Sequence, residues 1–154
     1  MSLEDDVRSL SRNPTLALLD HDALRQLAVG AETRRLRKGD ILFRRDEASD
    51  GGYVLVTGTI ALDPSDTHAF GQAAHIVRPP TLIGDMALLT KTRRPVTAVA
   101  REQSTVIKIS RNLFLRVLNE SPRSAERLRR ELSERLVRFM DELDSIAENG
   151  TEDR

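Results

Sequence analysis

At 154 residues, the chain is long enough for one domain with a core of its own and too short for a large two-domain enzyme. Its 24 lysines and arginines balance 24 aspartates and glutamates, so no global positive field exists to hold nucleic acid, and DNA binding would need a local patch. The absence of cysteine excludes disulfides, thiolate nucleophiles and cysteine-ligated metals. The start Met1-Ser2-Leu3-Glu4-Asp5-Asp6 is acidic and no apolar run reaches membrane-spanning length, which predicts a soluble cytoplasmic protein with no membrane partner.

Apolar residues at Leu16, Leu19, Ala23, Leu24, Leu27 and Ala28 follow a helical period, with Asp20 placed to cap the second part and Gly30 to end it. Beyond Gly30 the period changes. Thr33 to Leu36, the turn Lys38-Gly39-Asp40, the run Ile41-Leu42-Phe43, a polar loop from Arg44 to Gly52 and the run Tyr53-Val54-Leu55-Val56 read as strands joined by tight turns. Gly58 interrupts the next run, Thr57 to Leu62, and Pro64-Ser65-Asp66 ends it. A further strand is predicted from Ala73 to Arg78, after weak alternation through Phe70-Gly71-Gln72. Two more strand-like runs, Val96 to Arg101 and Thr105 to Ile109, close this part of the chain. Many short strands with regular turns imply a barrel or sandwich. Arg111 to Leu118 then reads as a short helix and Pro122 starts a long one, whose apolar residues Leu132, Leu136, Phe139, Leu143 and Ile146 fall 4, 3, 4 and 3 apart. Asn149-Gly150 and the polar end Thr151 to Arg154 read as a frayed tail.

The segment Leu82 to Ala98 carries the chemistry. Gly84 frees the backbone, Asp85 stands beside it, Met86-Ala87-Leu88-Leu89 make one apolar helical turn, and Arg94 precedes a β-branched run. That order suits a small anion carrying a sugar. His21, His68 and His75 lie far apart and form no motif with a serine or an acid, so no catalytic residue and no metal ligand set is predicted.

The order helix, strands, short helix within the sheet, strands and long C-terminal helix resembles the cyclic nucleotide-binding domain of catabolite-activator-like regulators, cyclic-nucleotide-dependent kinase regulatory subunits and gated channels. Three blocks carry the resemblance: Leu36-Arg37-Lys38-Gly39-Asp40-Ile41-Leu42-Phe43, Tyr53-Val54-Leu55-Val56-Thr57-Gly58-Thr59-Ile60, and the segment from Leu82 onward, which is similar to the phosphate-binding cassette. The fold it implies is mainly β with flanking helices: a β-roll or jelly-roll barrel with an N-terminal helix, a short cassette helix and a long C-terminal helix. The nucleotide-binding part would span residues 14–120, the long helix, as lid or dimerisation element, 121–148, and the tail 149–154.

For the site, the resemblance implies ligand contacts from Ile83, Gly84, Asp85, Met86, Ala87, Arg94, Pro95, Val96 and Thr97. Gly84 matches the glycine that opens the cassette, and Arg94, ten residues later, matches the arginine that forks onto the cyclic phosphate. The alternatives are an ordinary turn glycine and a solvated basic pair with Arg93. Two residues depart from the pattern. Asp85 stands where the family has the glutamate that accepts from the ribose 2′-hydroxyl, and it is one methylene shorter. Pro95 stands where a small residue usually donates its backbone N–H, and proline has none. A shifted register, with Arg93 as ligand and the Arg94 amide as donor, is a second possibility. The family's guanine-selective members carry threonine after the arginine, so its absence favours adenine. Asp46 replaces a usual glycine and tolerates the left-handed conformation.

The function implied is a cyclic nucleotide (cAMP-type) sensor that signals by repositioning the C-terminal helix. The alternatives are a degenerate pocket kept as a dimerisation or protein-interaction module, and a changed phosphate or carboxylate ligand. The sequence ends too soon after the long helix for a winged helix-turn-helix, so the sensor would lack its own DNA-binding domain, or the chain is a piece of a longer protein. Partners would be the nucleotide and either a second copy, paired through the long helix, or an unidentified effector. That helix is basic over Arg123 to Arg138 and acidic from Phe139 on, which favours an antiparallel or heterologous contact over a parallel one. The other reading is a solvated face with its apolar stripe lying on its own domain.

Overall fold

The computed structural model describes residues 2–64 and 75–152, with side chains up to residue 145. Helix α1 (Leu3–Ser11) opens the chain, and no helix was anticipated there. Its start is a capping box: Ser2 Oγ accepts from the Asp5 N–H and Asp5 accepts in return from the Ser2 N–H, both at 3.2 Å. Three acids in the first turn complement the helix dipole. A 3₁₀ turn at Leu16–Leu18 leads to α2 (His21–Gly30), capped by Asp20, whose Oδ1 accepts from Ala23 N–H at 2.8 Å.

Among the described residues eight strands follow: β1 (Glu32–Leu36), β2 (Ile41–Phe43), β3 (Gly51–Thr57), β4 (Ile60–Asp63), β5 (His75–Val77), β6 (Leu82–Ile83), β7 (Thr97–Ala100) and β8 (Ser104–Ser110). They form two antiparallel four-stranded sheets, ordered β1-β8-β3-β6 and β2-β7-β4-β5. The two sheets stay separate, so the architecture is an open sandwich rather than a closed barrel. Gly39 (φ 91°) and Gly58 (φ 97°) take the turns between β1 and β2 and between β3 and β4 in conformations that favour glycine. Asp46, at φ 69°, adopts the left-handed conformation expected of it. Strand β6, within the cassette segment, was not anticipated. The predicted Phe70-Gly71-Gln72 region and the first residues of the Ala73 to Arg78 strand lie outside the described residues, as does His68.

Two apolar clusters explain the strand patterns. Between the sheets pack Phe43, Tyr53, Leu55, Ile60, Ala98 and Val106; between the first sheet and the helices pack Val54, Ile107, Ile109, Leu10, Leu27 and Phe114. Strands β3 and β8 are thus covered on both faces, and this is why Tyr53-Val54-Leu55 reads as a continuous apolar run instead of an alternating one. Val7 and Leu10 of α1 belong to the helical cluster, so the core reaches back before residue 14.

Helices α3 (Arg111–Glu120) and α4 (Pro122–Glu152) finish the chain. Their junction is pinned to the start of α2: Ser121 Oγ donates to Asp20 Oδ2 and Asp20 N–H donates to the buried Ser124 Oγ, at 2.8 and 2.9 Å. The Ala23 N–H, with the two serine hydroxyls, holds the Asp20 carboxyl below its ordinary range. Leu128 and Leu132 lay α4 against its own domain, whereas Leu136, Phe139, Met140 and Leu143 of the same helix are exposed. Helix α4 therefore rests on its domain for its first turns and projects beyond it afterwards. It runs through Asn149-Gly150 to Glu152, past the predicted end, because a glycine inside a helix costs only about 1 kcal/mol and stops it only when it turns left-handed.

Candidate ligand cavity

The cassette begins where β6 pairs with β3, Tyr53 against Ile83, so that Gly84 emerges beside the start of β3. Gly84 has φ 84°, and a Cβ there would lie 2.7 Å from Arg94 Nη1. Glycine is needed for the turn and for the approach of the guanidinium. Asp85 then caps a 3₁₀ turn, Met86–Leu88, its Oδ1 accepting the Met86 N–H at 2.8 Å. The apolar turn predicted for this segment is present as 3₁₀, with Ala87 and Leu88 buried and Met86 55% exposed.

Arg94 is the most unusual residue of the site, a cation with only 3% of its surface exposed. Its guanidinium lies over the Phe43 ring at 4.4 Å and near Tyr53 at 5.6 Å, and Nη2 donates to the Gly51 carbonyl at 2.8 Å. The nearest carboxylate, Asp50, is 4.0 Å away and is itself held more closely by Lys108 Nζ at 2.8 Å. Burial lowers the Arg94 pKa, opposed by the Tyr53 side chain and Asp50, and the group stays cationic. The Lys108 hydrogen bond holds the Asp50 carboxyl below its ordinary range. Arg94 thus carries a positive charge that its surroundings only partly neutralise.

That charge lines a cavity of about 410 Å³, within the range of small-molecule sites. Of the residues anticipated for the site, Ile83, Gly84, Asp85, Met86, Ala87, Arg94, Pro95 and Val96 line it. Thr97 is not among the lining residues, and its Oγ1 accepts the Arg45 N–H at 2.9 Å. The shifted arginine register lacks its amide donor, because the Arg94 N–H is spent on the Glu47 carbonyl at 2.8 Å, although Arg93 also lines the cavity, with Nη1 donating to the Asp46 carbonyl at 3.0 Å. Sequence reasoning missed Phe43 and Leu62, on β2 and β4, together with Thr81, Leu82 and Thr92.

Two further connections tie the cavity wall to the helices. Arg111, the first residue of α3, donates from Nε to the Ala87 carbonyl at 2.9 Å and from Nη2 to the Ser49 carbonyl at 2.8 Å. Leu82, Asp85 and Met86 line not only the cavity but also a narrow crevice whose other side is formed by Phe114 and by Leu128, Leu132 and Arg135 of α4. Arg135 is fixed there by Glu131 at 3.2 Å and Thr15 at 3.0 Å. Among the described residues no helix is long and apolar enough to cross a membrane.

A buried arginine beside a left-handed glycine, in a sandwich of two four-stranded sheets flanked by helices, is an arrangement shared with regulatory nucleotide-binding domains. Residues 33–121 match the cyclic nucleotide-binding domain family, and the chain belongs to that family. It is similar to a cyclic nucleotide-binding-like protein from Brucella abortus, at 39% identity and a TM-score of 0.64 over 75% of this chain and 98% of that one. The N-terminal domain of a transcriptional regulator from Streptomyces coelicolor aligns at 27% identity, TM-score 0.79, over 88% of this chain and 94% of that one. An uncharacterized NTE family protein of Mycobacterium bovis is 27% identical over 76% of this chain, which spans 20% of that protein's length.

Proposed function

We propose that the cavity binds a cyclic nucleotide, with cAMP the first candidate, and that the bound state is passed to α4. The observation that carries this reading is Arg94: a buried cation on the wall of a nucleotide-sized cavity, its Nη1 packed where a Cβ on residue 84 would come within 2.7 Å. The cyclic phosphate would be held by the guanidinium and the base by the apolar walls. Residues Leu82, Asp85 and Met86 line both the cavity and the α4 crevice, so a ligand that shifts them changes the surface on which Leu128 and Leu132 rest. The signal would then be a shift in the population of α4 positions.

Thermal melting tests this with millimolar cAMP, cGMP and inorganic phosphate in separate samples. A ligand at a hundred times its dissociation constant adds about 2.7 kcal/mol, which raises the melting temperature by roughly 5–10 °C in a chain of this size. The expected order is cAMP above cGMP, with phosphate weakest. No shift with either nucleotide would refute the proposal.

The exposed half of α4 favours a second reading, an interaction module that pairs with another copy of the chain. Leu136, Phe139, Met140 and Leu143 continue the face that Leu128 and Leu132 bury, and a helix segment without tertiary cover is marginal in water. Basic residues before Phe139 and acidic ones after it would then complement each other in an antiparallel pair. Molar mass in solution over a concentration series checks this: a monomer at every concentration would end the second reading.

A further inference from the structure

We infer that the cavity does not read the sugar 2′-hydroxyl of its ligand, so that ribose and 2′-deoxyribose cyclic nucleotides bind alike. This rests on the nucleotide reading above and concerns the selectivity of the same site. A hydroxyl is selected by a polar group held ready for it without another partner. Sites built that way reject the analogue lacking the hydroxyl by about 10⁴- to 10⁵-fold, because their own group is left unpaired.

The side-chain oxygens lining this cavity belong to Thr81, Asp85 and Thr92, and each already has a partner within the protein. Thr81 Oγ1 donates to the Arg78 carbonyl, and Thr92 Oγ1 shares a hydrogen bond with Ser49 Oγ at 2.9 Å. Asp85 Oδ1 accepts from the N–H of the very next residue, Met86, at 2.8 Å, which keeps the short carboxylate on the backbone of its own turn. Asp85 is also exposed, so its remaining lone pairs are hydrated. Exchanging water for a ligand hydroxyl at such a group yields little net free energy. The rest of the wall consists of the guanidinium groups of Arg93 and Arg94, drawn to the phosphate charge, Arg93 Nη1 already donating to the Asp46 carbonyl, and of the apolar Phe43, Leu62, Ile83 and Val96, which do not distinguish a 2′-hydroxyl from hydrogen.

Calorimetric titration of the full chain with cAMP and with 2′-deoxy-cAMP, repeated on Asp85→Ala, tests the inference. The expected result is dissociation constants within about threefold of each other in the unaltered protein, the scale of one hydrogen bond traded for water. In Asp85→Ala, which loses the turn's cap, both constants should move by the same factor. A 2′-deoxy ligand that binds more than about tenfold more weakly overturns the inference while leaving the nucleotide reading intact. If that difference vanishes in Asp85→Ala, Asp85 is the group that reads the hydroxyl. Failure of both ligands to bind a chain whose circular dichroism is unchanged overturns the nucleotide reading instead, and the inference with it.

Discussion

Replacing Arg94 by methionine separates a binding role from a structural one. The substitution removes a hydrogen bond from a charged donor to the Gly51 carbonyl, about 1.5–3 kcal/mol, and a cation–π contact with Phe43, about 0.5–2 kcal/mol. The Asp50 pair adds at most about 1 kcal/mol, since the distance is 4.0 Å and that carboxylate is largely in water. Against these stands the desolvation of a buried ion, effectively several kcal/mol, which the variant no longer carries. Methionine also refills the space over Phe43 and gains a sulfur–aromatic contact of about 0.3–1.5 kcal/mol. The two sides nearly cancel. Urea unfolding without ligand should therefore differ from the unaltered chain by no more than about 1.5 kcal/mol, the residue of these opposing effects. The cAMP-induced rise in melting temperature should disappear. A loss beyond about 3 kcal/mol would show that Arg94 is held for stability, as removal of one member of a compensated buried pair does. A surviving ligand shift would show that the phosphate lies elsewhere.

Asp50→Asn should lower stability at neutral pH, and the gap to the unaltered chain should close in acid. The Asp50 carboxyl is depressed in the folded state by Lys108, so its contribution is present above the unfolded value of about 3.9 and is lost as pH falls through the lower folded value. Urea midpoints from pH 7 to pH 2 check this, and a gap that widens in acid would contradict it. Gly84→Ala should cost about 1–2 kcal/mol for the positive φ alone, and its Cβ should displace Arg94 Nη1, so calorimetry should show weaker cAMP binding as well. Leu10→Ala should cost about 2–5 kcal/mol in urea unfolding, because the side chain is fully buried where α1 joins the helical cluster. Phe139→Glu should change stability by less than about 0.5 kcal/mol if its 56% exposure persists in solution, and a larger, concentration-dependent loss would show that a second copy covers it.

Features set by local chemistry were readable in the amino-acid order. Asp20 announces the start of α2, Gly39 and Gly58 mark the turns, and Gly84 and Arg94 point to the cavity. Features set by assembly were not. Helix α1 escaped notice because its apolar residues are only Leu3, Val7 and Leu10 among charges, although Ser2 and Asp5 have capping-box spacing. Phe43 and Leu62 reach the cavity through the β2-β7-β4 pairing, which no local pattern reveals. Thr97 leaves the cavity wall where the chain enters β7, and its hydroxyl goes to the Arg45 N–H, a pairing between distant segments that no local pattern shows. The burial of Arg94 over two rings, and the turning of Asp85 onto the Met86 N–H, are likewise properties of packing.

Arg111 gives the site a mechanical character. Its guanidinium bolts the Ala87 carbonyl of the cassette and the Ser49 loop to the first residue of α3, so these three pieces form one body. A displacement of the cassette by about an ångström would stretch the Ala87 bond beyond hydrogen-bond distance unless α3 travelled with it. The rim of the cavity and the root of the C-terminal helices are thereby geared together, through Arg111 and through the packing of Leu88 with Phe114. If the proposed ligand moves the cassette, a fluorophore on the exposed Leu115, one turn along α3, should report it from outside the cavity lining.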